Sequence, residues 1–121
     1  MTVMYGNVTY YNCNGGSGAC SSCNDGWNDL AWPNLSTTGC VYNGCANNCS
    51  HACGDTVQVT NLCNNQANYI RVHDCFPRVG CNYADNCMGR TPPLADLLPA
   101  AFMAINGGSL GAGRIPAKVV C

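Results

Sequence analysis

Thr56-Val57-Gln58-Val59-Thr60-Asn61 and Tyr69-Ile70-Arg71-Val72-His73-Asp74 alternate apolar and polar side chains residue by residue, the pattern of strands that bury one face. The turn-rich Cys63-Asn64-Asn65-Gln66 lies between them, so a hairpin or two adjacent strands is expected. Downstream, in Asp96-Leu97-Leu98-Pro99-Ala100-Ala101-Phe102, the proline falls where a first helical turn accepts one. Gly107-Gly108 follows as a stop, which predicts a helix of about two turns. Val3 to Tyr11 reads as an opening strand and Arg114 to Val120 as a closing one pinned by Cys121. Asn14 to Cys53 is dominated by Gly, Ser, Asn, Asp and Cys, with Trp27, Leu30, Trp32 and Leu35 as its large apolar anchors, and is expected to be a long disulfide-tied loop region. Within it, the spacing Cys45, Cys49, Cys53 would put three thiols on one face of a short helix. The expected class is mainly β with one conspicuous helix, and two aspartates, Asp74 and Asp96, fall at element ends, where sites are usually built.

With 121 residues, residues 1-121 are expected to form one domain with one modest core. The cysteines are Cys13, Cys20, Cys23, Cys40, Cys45, Cys49, Cys53, Cys63, Cys75, Cys81, Cys87 and Cys121. An even dozen at this density suits complete pairing in an oxidising compartment, so a secreted, six-disulfide protein is expected. Spacing alone does not assign the bridges. Charged residues are 9% of the chain, glutamate is absent and the net charge is −1, which gives no basic footprint for nucleic acid. No apolar run reaches membrane-spanning length, and no charged region followed by an apolar run succeeds Met1. A monomer is expected, with neither metal nor cofactor. Abundant Asn and Gly suit ordered loops and also surfaces that hydrogen-bond neutral sugars.

Several motifs, in order, resemble the double-psi β-barrel group of barwins, expansins and family forty-five endoglucanases. Ala52-Cys53-Gly54 is similar to the Ala-Cys-Gly turn of expansins, Val72-His73-Asp74-Cys75 to their Val-Thr-Asp-x-Cys/Pro, and Asp96-Leu97-Leu98-Pro99-Ala100-Ala101-Phe102 to Asp-Leu-Ser-x-x-Ala-Phe. Val119-Val120-Cys121 matches the closing strand, Gly6-Asn7-Val8-Thr9-Tyr10-Tyr11 the first strand, and Gly18-Ala19-Cys20 a Gly-Ala-Cys turn. Leu98 replaces a serine, His73 a threonine, and Leu94-Ala95-Asp96 the His-Phe-Asp of many members. The resemblance implies a six-stranded double-psi β-barrel with one short helix and long disulfide-tied loops, in a chain comparable with the single-domain loosenins and barwins.

Inverting glycoside hydrolysis needs a protonated carboxyl and a base, roughly 6.5–9.5 Å apart. Asp96 is the candidate acid, because the preceding Leu94 and Ala95 favour desolvation; alternatively it caps the helix. The resemblance places Asn12, in Tyr10-Tyr11-Asn12-Cys13, where family forty-five enzymes often carry the base, and Asn82 in a loop where some members use an asparagine. Asp74 would orient Asp96 or Tyr10, or simply be a satisfied buried carboxylate. Thr9, Tyr10, Asn12, Asp74 and Asp96 are the candidate groove residues, with Trp27, Trp32, Tyr42 or Tyr83 as stacking surfaces. For the tryptophans a core role is the stronger reading. Cys20, Cys23, Cys45, Cys49, His51 and Cys53 imitate a zinc set, but the cysteine density favours disulfides. The expected function is binding of a cell-wall polysaccharide, a β-1,4-glucan such as cellulose or a chitin-type chain, without hydrolysis. An endo-β-1,4-glucanase ranks second and a barwin-like defence or protease-inhibitor protein third.

Overall fold

A computed structural model describes residues 1–36, 47–76, 93–111 and 113–121. Among the described residues the strands are β1 (Val3–Tyr10), β2 (Ser17–Gly18), β3 (Ser21–Ser22), β4 (Asp29–Ala31), β5 (Thr56–Asn61), β6 (Ala67–Asp74), β7 (Ala95–Leu97) and β8 (Arg114–Val120), and the helix is α1 (Pro99–Ala104). Six strands close into a barrel in the order β1-β7-β4-β6-β5-β8, and β2 with β3 forms a separate small hairpin. β1 runs parallel to β7 and β4 parallel to β6, whereas β4 and β7 are antiparallel. This is the double-psi arrangement expected from the motifs.

The period-two pattern decides which side chains enter the barrel. Met4 and Val8 of β1, Val57 and Val59 of β5, Ile70 and Val72 of β6, and Ile115, Ala117 and Val119 of β8 point into one core. The expected hairpin forms, with Val57 opposite Ile70 and Thr60 opposite Ala67. Pro99 occupies the first turn of α1, and Gly107 and Gly108 follow at φ 62 and 80, a left-handed region that costs glycine no Cβ clash. Ala101, Phe102 and Ile105 sink into the barrel core. The buried Asn61 amide donates to the Ile105 carbonyl at 2.9 Å while its oxygen accepts the Cys63 N–H at 2.9 Å, tying the end of α1 to the β5–β6 turn.

Three expectations need correction. The Asn14–Cys53 region is not all loop, since it contributes β2, β3 and the barrel strand β4. Residues 47–53 form no helix; their polar groups serve the loop instead, as when the Trp32 indole donates to the Cys49 carbonyl at 2.8 Å. Complete pairing also fails. Cys13–Cys23, Cys20–Cys53 and Cys49–Cys121 are disulfides, and Cys75 is disulfide-bonded as well, but Cys63 is free and exposed at the β5–β6 turn. With one of twelve thiols free, six internal bridges cannot form. Cys40, Cys45, Cys81 and Cys87 lie outside the described residues. Alkylation of the non-reduced protein followed by peptide mapping should therefore label Cys63, while Cys13, Cys20, Cys23 and Cys49 stay protected. A protected Cys63 would contradict the assignment.

Candidate functional site

The register places five outward-facing positions in one line across the barrel. Asp74 pairs with Ala31, Ala31 with Asp96, Asp96 with Thr9 and Thr9 with Arg114. The row Asp74–Ala31–Asp96–Thr9–Arg114 thus crosses β6, β4, β7, β1 and β8. Two strand spacings separate the two aspartate backbones, about 10 Å. Asp74 reaches this row through an irregularity in β6: Leu30 pairs with Val72, but Ala31 pairs with Asp74, so His73 is skipped. Strict alternation from Ile70 and Val72 would aim Asp74 into the core. The bulge turns it outward, a device common beside functional sites.

Asp96 sits between the core residues Ala95 and Leu97 and accepts a hydrogen bond from the Thr9 hydroxyl at 2.8 Å. Desolvation pushes its carboxyl up to about 6, opposed by the Thr9 bond and the Arg114 charge, with Asp74 adding a smaller push upward. It does not cap the helix. The residue before α1 is Leu98, and no side chain caps that end; the Ala100 N–H goes to the Asp25 carbonyl at 3.1 Å.

Asp74 accepts three hydrogen bonds. One carboxylate oxygen accepts the N–H groups of Ala19 at 2.7 Å and Cys75 at 2.8 Å, and the other accepts the Tyr11 hydroxyl at 3.2 Å. A Cβ on Gly18 would overlap the Asp74 carboxyl, so glycine there lets the β2–β3 hairpin close onto it. Burial, reinforced by the neighbouring Asp74 charge, holds the Tyr11 phenol far above its ordinary value. Tyr11 therefore keeps its proton, and its hydrogen bond to Asp74, at every physiological pH. It also packs with Phe76 over Ala31, between the two carboxylates.

Tyr11, rather than Tyr10, is the tyrosine of the row. Tyr10 pairs with the buried Leu97 and its ring lies 5.4 Å from that of Phe102, against the core. Thr9 and Tyr10 are neighbours on one strand and so cannot share a face, the signal that would have pointed to Tyr11. Trp32 is fully buried, which removes it from any surface a ligand touches. Trp27 is 40% exposed, and Asn12 is exposed just past β1. Asn82, Tyr83 and Tyr42 lie outside the described residues. The zinc-like set is consumed by the bridges at Cys20, Cys23, Cys49 and Cys53.

A closed barrel with two parallel crossings and a polar row on its outer face defines a double-psi β-barrel protein. The chain matches no protein-family model and no curated protein. Among solved structures it is similar to an expansin of Clavibacter michiganensis, an aspartate-to-asparagine mutant crystallised with cellohexaose, at 22% identity and a TM-score of 0.57. That similarity covers 98% of this chain and 50% of the expansin, so the chain spans half the length of that relative in fold.

Proposed function

We propose that the protein is an extracellular, expansin- or loosenin-like binder of cell-wall polysaccharide, taking neutral β-1,4-glucan or chitin-type chains along the Asp74–Asp96–Thr9 row without hydrolysing them. The observation that carries this reading is the way Asp74 is tied down beside Asp96. Its oxygens accept three hydrogen bonds that fix the β2–β3 hairpin and Tyr11, which favours a positioning role in a binding groove over that of a base that activates water. Thr9 and Asp96 remain suited to bonding sugar hydroxyls. The likeness in fold to an expansin crystallised with cellohexaose supports the same substrate class, and the disulfides support an oxidising, extracellular setting.

One observation favours a second reading, inverting endo-β-1,4-glucanase activity. The Asp96 carboxyl, at about 6, is tuned as a general acid requires. Incubation with soluble β-1,4-glucan, insoluble cellulose and chitin, scoring bound protein and new reducing ends together, separates the two. Binding without new ends is the expected result. New ends that vanish in Asp96→Asn would replace the proposal with hydrolysis, and neither signal would overturn both readings in favour of a protein partner.

A further inference from the structure

We infer that the outer face of β6 carries a sugar-stacking subsite centred on Trp27, continuous with the Asp74–Asp96 row and filled by the same neutral polysaccharide chain; this rests on the function proposed above. Tyr69, Arg71 and His73 share that face by the period of the strand. Trp27 packs beside two of them, with the Arg71 guanidinium 6.0 Å from its ring centre and the His73 ring edge-on at 6.0 Å. The chain has two tryptophans; one is wholly buried, yet this one is 40% exposed, and Tyr69 on the same strand face as Arg71 and His73 is 66% exposed. Rings left partly in water forgo some of the stabilisation that burial would give.

The ring supports are themselves fixed. Arg71 makes two hydrogen bonds to the buried Asp29 carboxylate, at 2.9 and 2.7 Å. His73 Nε2 lies 3.1 Å from the Ser21 hydroxyl and 3.0 Å from the Ser22 carbonyl oxygen. Asn28, next to Trp27, donates its amide to the Tyr69 carbonyl at 2.8 Å and accepts from the Asn68 amide at 2.8 Å. A pre-positioned aromatic loses little entropy when a ligand stacks on it.

Charge selects the occupant. Asp29 neutralises Arg71, so among the described residues the ledge offers rings, amides and an imidazole without an unpaired cation for phosphate, which suits the apolar faces and hydroxyls of an uncharged pyranose. The ledge also meets the row directly. His73 and Asp74 are successive across the bulge, and the β2–β3 hairpin touches both, through Ser21 and Ser22 on one side and Ala19 on the other. From Tyr69 to His73 the strand advances about 13 Å, longer than one sugar ring.

Depletion isotherms on insoluble cellulose test this together with iodide quenching in the presence of cellohexaose. Because Trp32 is buried, quenching reports Trp27. Cellohexaose should shield it, Trp27→Ala and Tyr69→Ala should each weaken cellulose binding about tenfold while the protein stays folded, and Trp27→Phe should retain most of the affinity. If the wild type binds and both alanine variants bind equally well with Trp27 still quenched, the subsite is wrong and the proposed function stands. If the wild type binds neither cellulose nor chitin, the proposed function fails and the subsite with it.

Discussion

Asp96→Asn should make the protein more stable at pH 7.5 and no more stable at pH 4. The Asp96 carboxyl titrates near 6 in the folded chain, against an ordinary value of 3.8, because burial disfavours its charge. A folded value above the unfolded one means that the native state holds the proton longer. Below about pH 3 both states are protonated and no penalty exists. Between about 4 and 6 the unfolded chain ionises first and stability falls, and above 6 the loss is constant at about 3 kcal/mol. Asparagine cannot ionise, and its amide oxygen can still accept the Thr9 hydroxyl, so most of that loss is recovered. A gain of about 2 kcal/mol at pH 7.5, seen as a rise of roughly 5–10 °C in melting temperature, is expected, shrinking to within about 0.5 kcal/mol at pH 4. Melting curves of both proteins from pH 4 to 8 measure it, and a difference independent of pH would refute the assignment. The same carboxylate is the row's candidate ligand group, so a residue that destabilises the fold at neutral pH is retained where a functional demand would explain it.

How much of this was legible depended on strand length. β1, β5, β6 and β8 run for six to eight residues, long enough for alternation to show, and Pro99 with Gly107-Gly108 marked the helix. β4 and β7 have three residues each; their strand character comes from neighbours that hold them on both sides, and no local pattern carries it. The motif resemblance, not the periodicity, supplied the closed barrel. Disulfide partners were equally hidden, since Cys49–Cys121 joins a loop to the end of the chain across 72 residues.

The site was legible in part. Leu94 and Ala95 announced a desolvated Asp96, and Thr9 was expected in the same groove. The outward turn of Asp74 depends on a bulge that the run Ile70-Arg71-Val72-His73-Asp74 does not reveal, because the extra residue is defined only by its pairing with β4. Tyr11 was missed for want of applying the parity of β1 beyond Thr9. The Gly18–Asp74 contact joins residues of two distant segments and has no signature in either.

Arg71→Ala should be the most damaging single substitution on the outer face. Asp29 is 3% exposed, a burial that an ionised carboxylate tolerates only with a partner. Arg71 supplies it through a two-pronged bond that also staples β4 to β6 where Asp29 and Arg71 pair. Breaking a buried ion pair from one side costs about 3–5 kcal/mol. The Arg71 side chain is half-exposed, so water can partly replace it, and about 2–4 kcal/mol is expected here. Because β4 is three residues long and lies between β6 and β7, loosening it would open the barrel next to Ala31 and separate Asp74 from Asp96. The charge argument has its own control. Asp29→Asn combined with Arg71→Ala leaves no buried charge and should recover at least half of the loss, whereas a merely steric role for Arg71 would leave the double variant as unstable as the single one. Denaturant unfolding of the four proteins in the cycle gives the coupling directly, and a loss below about 0.5 kcal/mol for Arg71→Ala would mean that β4 is held by its backbone pairing and core contacts alone.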